Sequence, residues 1–243
     1  MEQTARVLSQ LGSKDQPSKE FQSLVRQIGE AKTKHEEDRI IKKEAALLKD
    51  KVGGRDVTKR QMREYLIRLI YCEMLGVECS WGYIHAVKFT QTGSTLDKRI
   101  GYLAASLFLH EGHELNVLLV ATLQKDLKSS NMLEVSMALV SICKLVGADM
   151  IPPLLPLVQD KLLHPKQLVR KKAVMAMHRF LLLSPDSISH LEDDFRRSLS
   201  DQDPGVMEAA LILFHDLIKN GPIKYKDLTE SFAMILTQVY TRN

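Results

Sequence analysis

The chain has 243 residues, 44% of them hydrophobic and 26% charged, with a formal net charge of +4. A chain of that length buries about 70–75% of its unfolded surface, enough for a stable core, and the composition is that of an ordinary globular protein. The charge is too weakly basic to argue for a nucleic-acid partner, and no apolar run approaches the ~20 residues of a membrane-spanning helix. The first residues lack the charged start and apolar centre of a signal peptide. Cys72, Cys79 and Cys143 lack metal-ligand spacing, so reduced, buried thiols in a cytosolic protein are expected.

Residues 1–17 are polar, with Gly12 and Pro17, and read as a flexible lead-in. Ser18 is placed to cap a helix carrying Phe21, Leu24, Val25 and Ile28 on one face and ending near Gly29. A longer helix follows from about Ala31 to Val52, with a narrow apolar stripe among many charges, which suits an outer helix. Gly53 and Gly54 break it. From Lys59 the chain is apolar almost all the way round (Met62, Tyr65, Leu66, Ile67, Leu69, Ile70, Cys72, Met74, Leu75), with Thr58 as N-cap and Gly76 as a left-handed C-cap. Such a helix needs neighbours on most sides. Lys59, Arg60, Arg63 and Arg68, with Glu64 among them, give it a single basic stripe. A second helix begins near Ser80 and carries Trp81, Ile84 and Val87 on one side, so the expected unit is a helical hairpin with an apolar interior and a basic edge.

From Leu96 onward, helices of roughly 12–18 residues alternate with short turns, and strand signals are absent. Ile100, Val135, Val169 and Val206 open comparable helices, each followed four residues later by Ala104, Leu139, Ala173 or Ala210. The intervals of 35, 34 and 37 residues match two-helix armadillo or HEAT-like units. Units of this kind bury their apolar faces only by stacking. The fold expected for residues 18–243 is therefore an all-α, armadillo/HEAT-like superhelical solenoid of helical hairpins. Pro152, Pro153 and Pro156 crowd one helix start, where first-turn proline is tolerated.

Catalytic patterns fail on spacing. His110-Glu111-Gly112-His113-Glu114 is metal-like, but the zinc-hydrolase motif needs histidines four apart on one helical face, whereas these are three apart across a glycine. Glu192-Asp193-Asp194 reads as an acidic helix face, without a partner cluster to raise a pKa. There is no phosphate-cradling glycine loop and no nucleophile pattern. The chain reads as non-enzymatic, with no cofactor and no metal site. Binding surface is what remains. A basic stripe suits acidic lipid headgroups, each cation adding about 1 kcal/mol near a charged leaflet. Arg170-Lys171-Lys172, with Lys166 and Arg179, is a further basic run with a partner-binding or a solvated reading.

The chain also resembles a known family. Leu69 to Gly76 (LIYCEMLG), Trp81 to Lys88 (WGYIHAVK), Lys98 to Leu103 (KRIGYL), Lys125 to Leu127, Val169 to Ala173 (VRKKA), Asp203 to Val206 (DPGV) and Tyr225 to Leu228 (YKDL) are similar to the N-terminal trunk of the adaptins, the large subunits of vesicle-coat adaptor complexes. The similarity runs from about Lys19 to Tyr240, most closely to the epsilon branch, with the gamma branch as nearest rival. It implies a chain that continues beyond Asn243. It also implies partners: a beta-type large, a mu-type medium and a sigma-type small subunit, an Arf-type GTPase and acidic membrane lipids, but no nucleic acid. The implied setting is the cytoplasmic face of the trans-Golgi network or endosomes. By resemblance, Lys59, Arg60, Arg63 and Arg68 lie near a phosphoinositide site, with Glu64 departing from the basic pattern. Ile84, Val87 and Leu118 fall where relatives use leucines to dock the GTPase, although pattern alone reads them as core. The sigma-type subunit would be cradled by the later part of this trunk. The competing reading is an armadillo-type scaffold or transport receptor, which would expect a ladder of Trp and Asn where this chain has only Trp81.

Overall fold

The computed structural model describes residues 18–220 and 222–240, and among these every regular element is a helix. The lead-in at 1–17 and the turn residue at 221 lie outside them. The chain forms two compact units, one through His110 and one from Glu111.

The first unit holds α1 (Lys19–Glu30), α2 (Lys34–Val52), α3 (Lys59–Met74), α4 (Tyr83–Thr90) and α5 (Thr95–Phe108). Local chemistry sets their ends. Ser18 accepts from the Phe21 N–H and Thr33 from the Glu36 N–H. At α3, Thr58 accepts from the Gln61 N–H while the Gln61 side chain accepts from the Thr58 N–H, a reciprocal capping box. The end of α3 is as specific: Gly76 stands at φ +88°, the Val77 N–H bonds back to the Cys72 carbonyl and the Gly76 N–H to that of Glu73. That is a Schellman closure, which glycine adopts without strain.

The expected hairpin of α3 and its successor is not the packing unit. After a 3₁₀ turn at Ser80–Gly82, α4 packs chiefly on α5, and α3 packs on α2 and α5. What lets α4 and α5 meet is Gly101. A Cβ there would stand 2.5 Å from the backbone nitrogen of Thr90 and 2.7 Å from the carbonyl carbon of Phe89. Backbone cannot swing aside as a side chain can, so the glycine in KRIGYL is a packing requirement. Tyr83 stacks on Phe108 across the same interface, ring centroids 5.1 Å apart.

The second unit holds α6 (Val120–Leu127), α7 (Met132–Leu145), α8 (Ile151–Lys161), α9 (Gln167–Leu183), α10 (Pro185–Ile188), α11 (Glu192–Leu199), α12 (Pro204–Asn220) and α13 (Thr229–Tyr240). Here α9 packs against α7 on one side and α12 on the other. The repeat register holds: Ile100, Val135, Val169 and Val206, with Ala104, Leu139, Ala173 and Ala210, are each at most 1% exposed. Buried positions of this kind are where the hairpins of repeat proteins seal one another. Pro152 and Pro153 do lie in the first turn of α8, but Pro156 sits inside the helix. It withholds an N–H from the α-helical ladder there.

Gly101→Ala is expected to lower the stability of the chain by about 1–3 kcal/mol through overpacking, read as a shifted midpoint in urea, while Gly93→Ala, with open space around it, leaves the midpoint nearly unchanged.

Candidate functional site

The basic stripe is less continuous in space than in sequence. Lys59 and Arg60 are exposed on the first turn of α3. Arg63 is partly covered, its Nε donating to Asp97 of α5 at 2.8 Å, with Asp97 itself 2% exposed. Arg68 is 3% exposed and pairs with Glu44 of α2 and with Glu64 one turn back on α3. Two cations therefore face solvent and two tie α3 to its neighbours. No sequence pattern singled out Glu44 or Asp97 as partners, because their contacts span 24 and 34 residues.

The three apolar positions also differ from one another. Val87 is 1% exposed and belongs to the core of the first unit, whereas Ile84 on the same helix is half-buried. Leu118, in the 3₁₀ segment Glu114–Leu119 of the second unit, is 45% exposed, and Val117 beside it is 62% exposed. Sequence reasoning passed over Val117. It also passed over Glu73, whose carboxylate accepts the Cys79 N–H at 2.7 Å and so pins the turn that sends α4 away from α3.

The metal-like cluster resolves into turn chemistry. His113 caps the 3₁₀ segment by accepting the Leu115 N–H at 3.1 Å, and Glu111 pairs with Arg179. No group of three metal-capable side chains occurs among the described residues. Likewise Glu192 pairs with Arg196 and Lys224, and Asp194 with Arg197 and Gln159. The basic run on α9 is largely spent on neighbouring hairpins: Arg170 is bidentate on Asp201 at 2.7 and 2.8 Å, and Lys171 reaches Glu208 at 3.1 Å. Burial tends to raise the Asp201 carboxyl, but hydrogen bonds from Arg170 and the Asp203 N–H hold it below its ordinary value. All three thiols are unbridged. Burial pushes Cys72 up to about 12 and Cys143 to about 11, so neither is a thiolate nucleophile near neutral pH. No helix among the described residues is long and apolar enough to cross a membrane.

Residues 37–243 match the family model described as the adaptin N terminal region. The chain belongs to the adaptin family. It is 53% identical to the AP-4 complex subunit epsilon of Arabidopsis thaliana over 93% of its own length and 24% of that protein. Against AP-4 complex subunit epsilon-1 of Homo sapiens it is 50% identical, over 89% of its own length and 19% of that chain. AP-1 complex subunit gamma-like 2 of Homo sapiens matches at 29% identity, over 85% of this chain and 26% of that one, so the epsilon branch is favoured over the gamma. The chain thus spans about a quarter or less of these curated relatives. Among solved structures, a homology model of the full-length AP-3 complex in an intermediate open conformation superposes with a TM-score of 0.63 at 25% identity, over 74% of this chain and 32% of that one. A designed armadillo repeat protein superposes with a TM-score of 0.51 at 14% identity, over 79% of this chain and 98% of that one, a likeness of fold alone. The adaptin relatives are named as complex subunits, in keeping with a non-enzymatic chain.

In this adaptin the Arg68 cluster is structural. Arg68→Ala leaves the partly covered Glu44 without its countercharge and is expected to destabilise the chain by about 3 kcal/mol, whereas Arg68→Met combined with Glu44→Leu recovers most of the loss. Chemical denaturation of the two variants beside the parent chain checks this.

Proposed function

We propose that this adaptin segment is the N-terminal trunk of the large subunit of a heterotetrameric vesicle-coat adaptor. In this reading it works in cargo selection on trans-Golgi or endosomal membranes, on their cytoplasmic side. The observation that carries the reading is 53% and 50% identity to two AP-4 epsilon subunits over about nine-tenths of the chain. Its partners would be beta-type, mu-type and sigma-type subunits. Recruitment would combine an Arf-type GTPase with acidic lipid. Each contact is weak alone, and two on one chain reinforce each other through effective concentration.

Exposure supports some of the candidate residues in these roles more than others. Lys59 and Arg60, exposed at the start of α3, are the cations a lipid headgroup would meet, and Arg63 contributes what Asp97 leaves of its field. Arg68, inside its ion cluster, holds α3 in place for them. For the GTPase, the first unit offers the half-buried Ile84, with Val87 in the core of the same helix, and the second unit by itself offers Leu118. An exposed leucine beside an exposed valine, Leu118 and Val117, is the kind of apolar patch that favours a protein partner.

Co-expression of the tagged chain with a sigma-type small subunit should yield a stoichiometric complex on gel filtration, and a chain that elutes alone would remove the adaptor reading. Recruitment has its own test. Ile84→Asp with Leu118→Asp, at unchanged helicity, should lower pull-down by GTP-loaded Arf-type GTPase about tenfold or more. Lys59→Glu with Arg60→Glu should lower flotation with vesicles of acidic lipid while sparing the GTPase pull-down.

A further inference from the structure

The middle of the second unit carries an apolar seam that the described residues leave uncovered. On α9, Leu168, Met175 and Leu182 are 46%, 46% and 56% exposed. They are seven residues apart, so they run nearly along one line of the helix, as the seam of a coiled coil does. At 1.5 Å per residue the line is about 21 Å long. On α7, Leu133 and Val140 are also exposed and also seven apart, and on α12 Ile212 is 51% exposed. A depression of about 290 Å³ brings these helices together: Cys143 of α7, Met175 and Leu182 of α9, and Ile212 of α12 line it.

Charge along the seam has one sign to spare. Lys172 and Arg179 share the face of α9 with the three apolar residues, lying three or four positions from each neighbour. The nearby carboxylates are committed. Glu208 is taken by Lys171, Asp216 by His178 at 2.7 Å and Glu111 by Arg179. Lys172 has no carboxylate partner among the described residues, and neither does Lys144 on α7, one residue beyond Cys143. Lys172 is also half-buried, and that burial holds its pKa below the usual lysine value. An incoming carboxylate would relieve that cost.

We propose that the α7–α9–α12 face of the second unit is a docking surface for an acidic amphipathic α-helix of about four turns from a partner polypeptide. Its apolar residues would interleave with Leu168, Met175 and Leu182, and one would fill the depression. Its flanking carboxylates would meet Lys172 and Lys144. This surface lies on elements other than those that carry Lys59, Arg60, Ile84 and Leu118, and it stands or falls independently of the recruitment reading.

The probe is a fluorescent synthetic helix of about 18 residues with leucines in heptad register and glutamates beside them. A lysine twin and a scrambled peptide of equal composition are the controls. With the full 243-residue chain, anisotropy should show the acidic helix binding at least about tenfold more tightly than either control. Hydrogen exchange should then slow in 167–183 and 204–216. Met175→Glu with Leu182→Glu, at unchanged circular dichroism, should abolish binding. Lys172→Glu keeps the seam and should shift preference toward the lysine twin. Equal binding of all three peptides, protection elsewhere, or no binding would overturn the proposal. So would a sedimenting dimer that Met175→Glu dissociates, because the face would then serve a second copy of this chain.

Discussion

A two-helix unit has an apolar face that it cannot bury by itself, and that constraint governs every level of this molecule. The four repeat-opening residues and the small or apolar residues one turn after them are almost wholly buried, as positions that seal one hairpin against another are in repeat proteins. Ala104, Ala173 and Ala210 are the small residues among these buried positions. At Gly101 a single methyl group would reach the backbone of the adjoining helix.

Charge follows from the same stacking. Once apolar faces are spent on the interior, the charged edges of successive hairpins lie side by side and pair across the repeat. Arg170 with Asp201, Lys171 with Glu208 and His178 with Asp216 are such pairs, and their separations of 31, 37 and 38 residues are close to one repeat. Pairs that solvent still reaches add little each. The Arg68 cluster differs because Arg68 itself is 3% exposed, and a buried arginine without its glutamate would be far more costly than one in water. Within a helical stack, cations of one sequence run are therefore divided between structure and surface according to what the next hairpin places opposite them.

What remains unpaired is correspondingly informative. Lys59 and Arg60 stand at the start of α3 beyond the reach of that pairing, Val117 and Leu118 protrude from a short 3₁₀ segment, and α9 carries its leucine and methionine line in the open. A stacked scaffold can satisfy its own core and still present such features, because outer positions of a repeat are not needed for sealing. These are the places where an adaptin, a family built for assembly, has surface to offer.

Most of the helices, several of their caps, the repeat interval and the family were legible in the sequence, because each is written in local chemistry: Thr58 as an N-cap, Gly76 as a left-handed C-cap, an apolar residue followed one turn later by a small or apolar one in every unit. The fate of individual side chains was not. That Arg68 turns inward to Glu44, that Arg63 is drawn to Asp97, that Val87 is core while Leu118 is surface, and that α4 leans on α5 in place of α3 were decided by tertiary contacts. Helical periodicity says which residues share a face, but only the neighbouring helix determines whether that face meets protein or water.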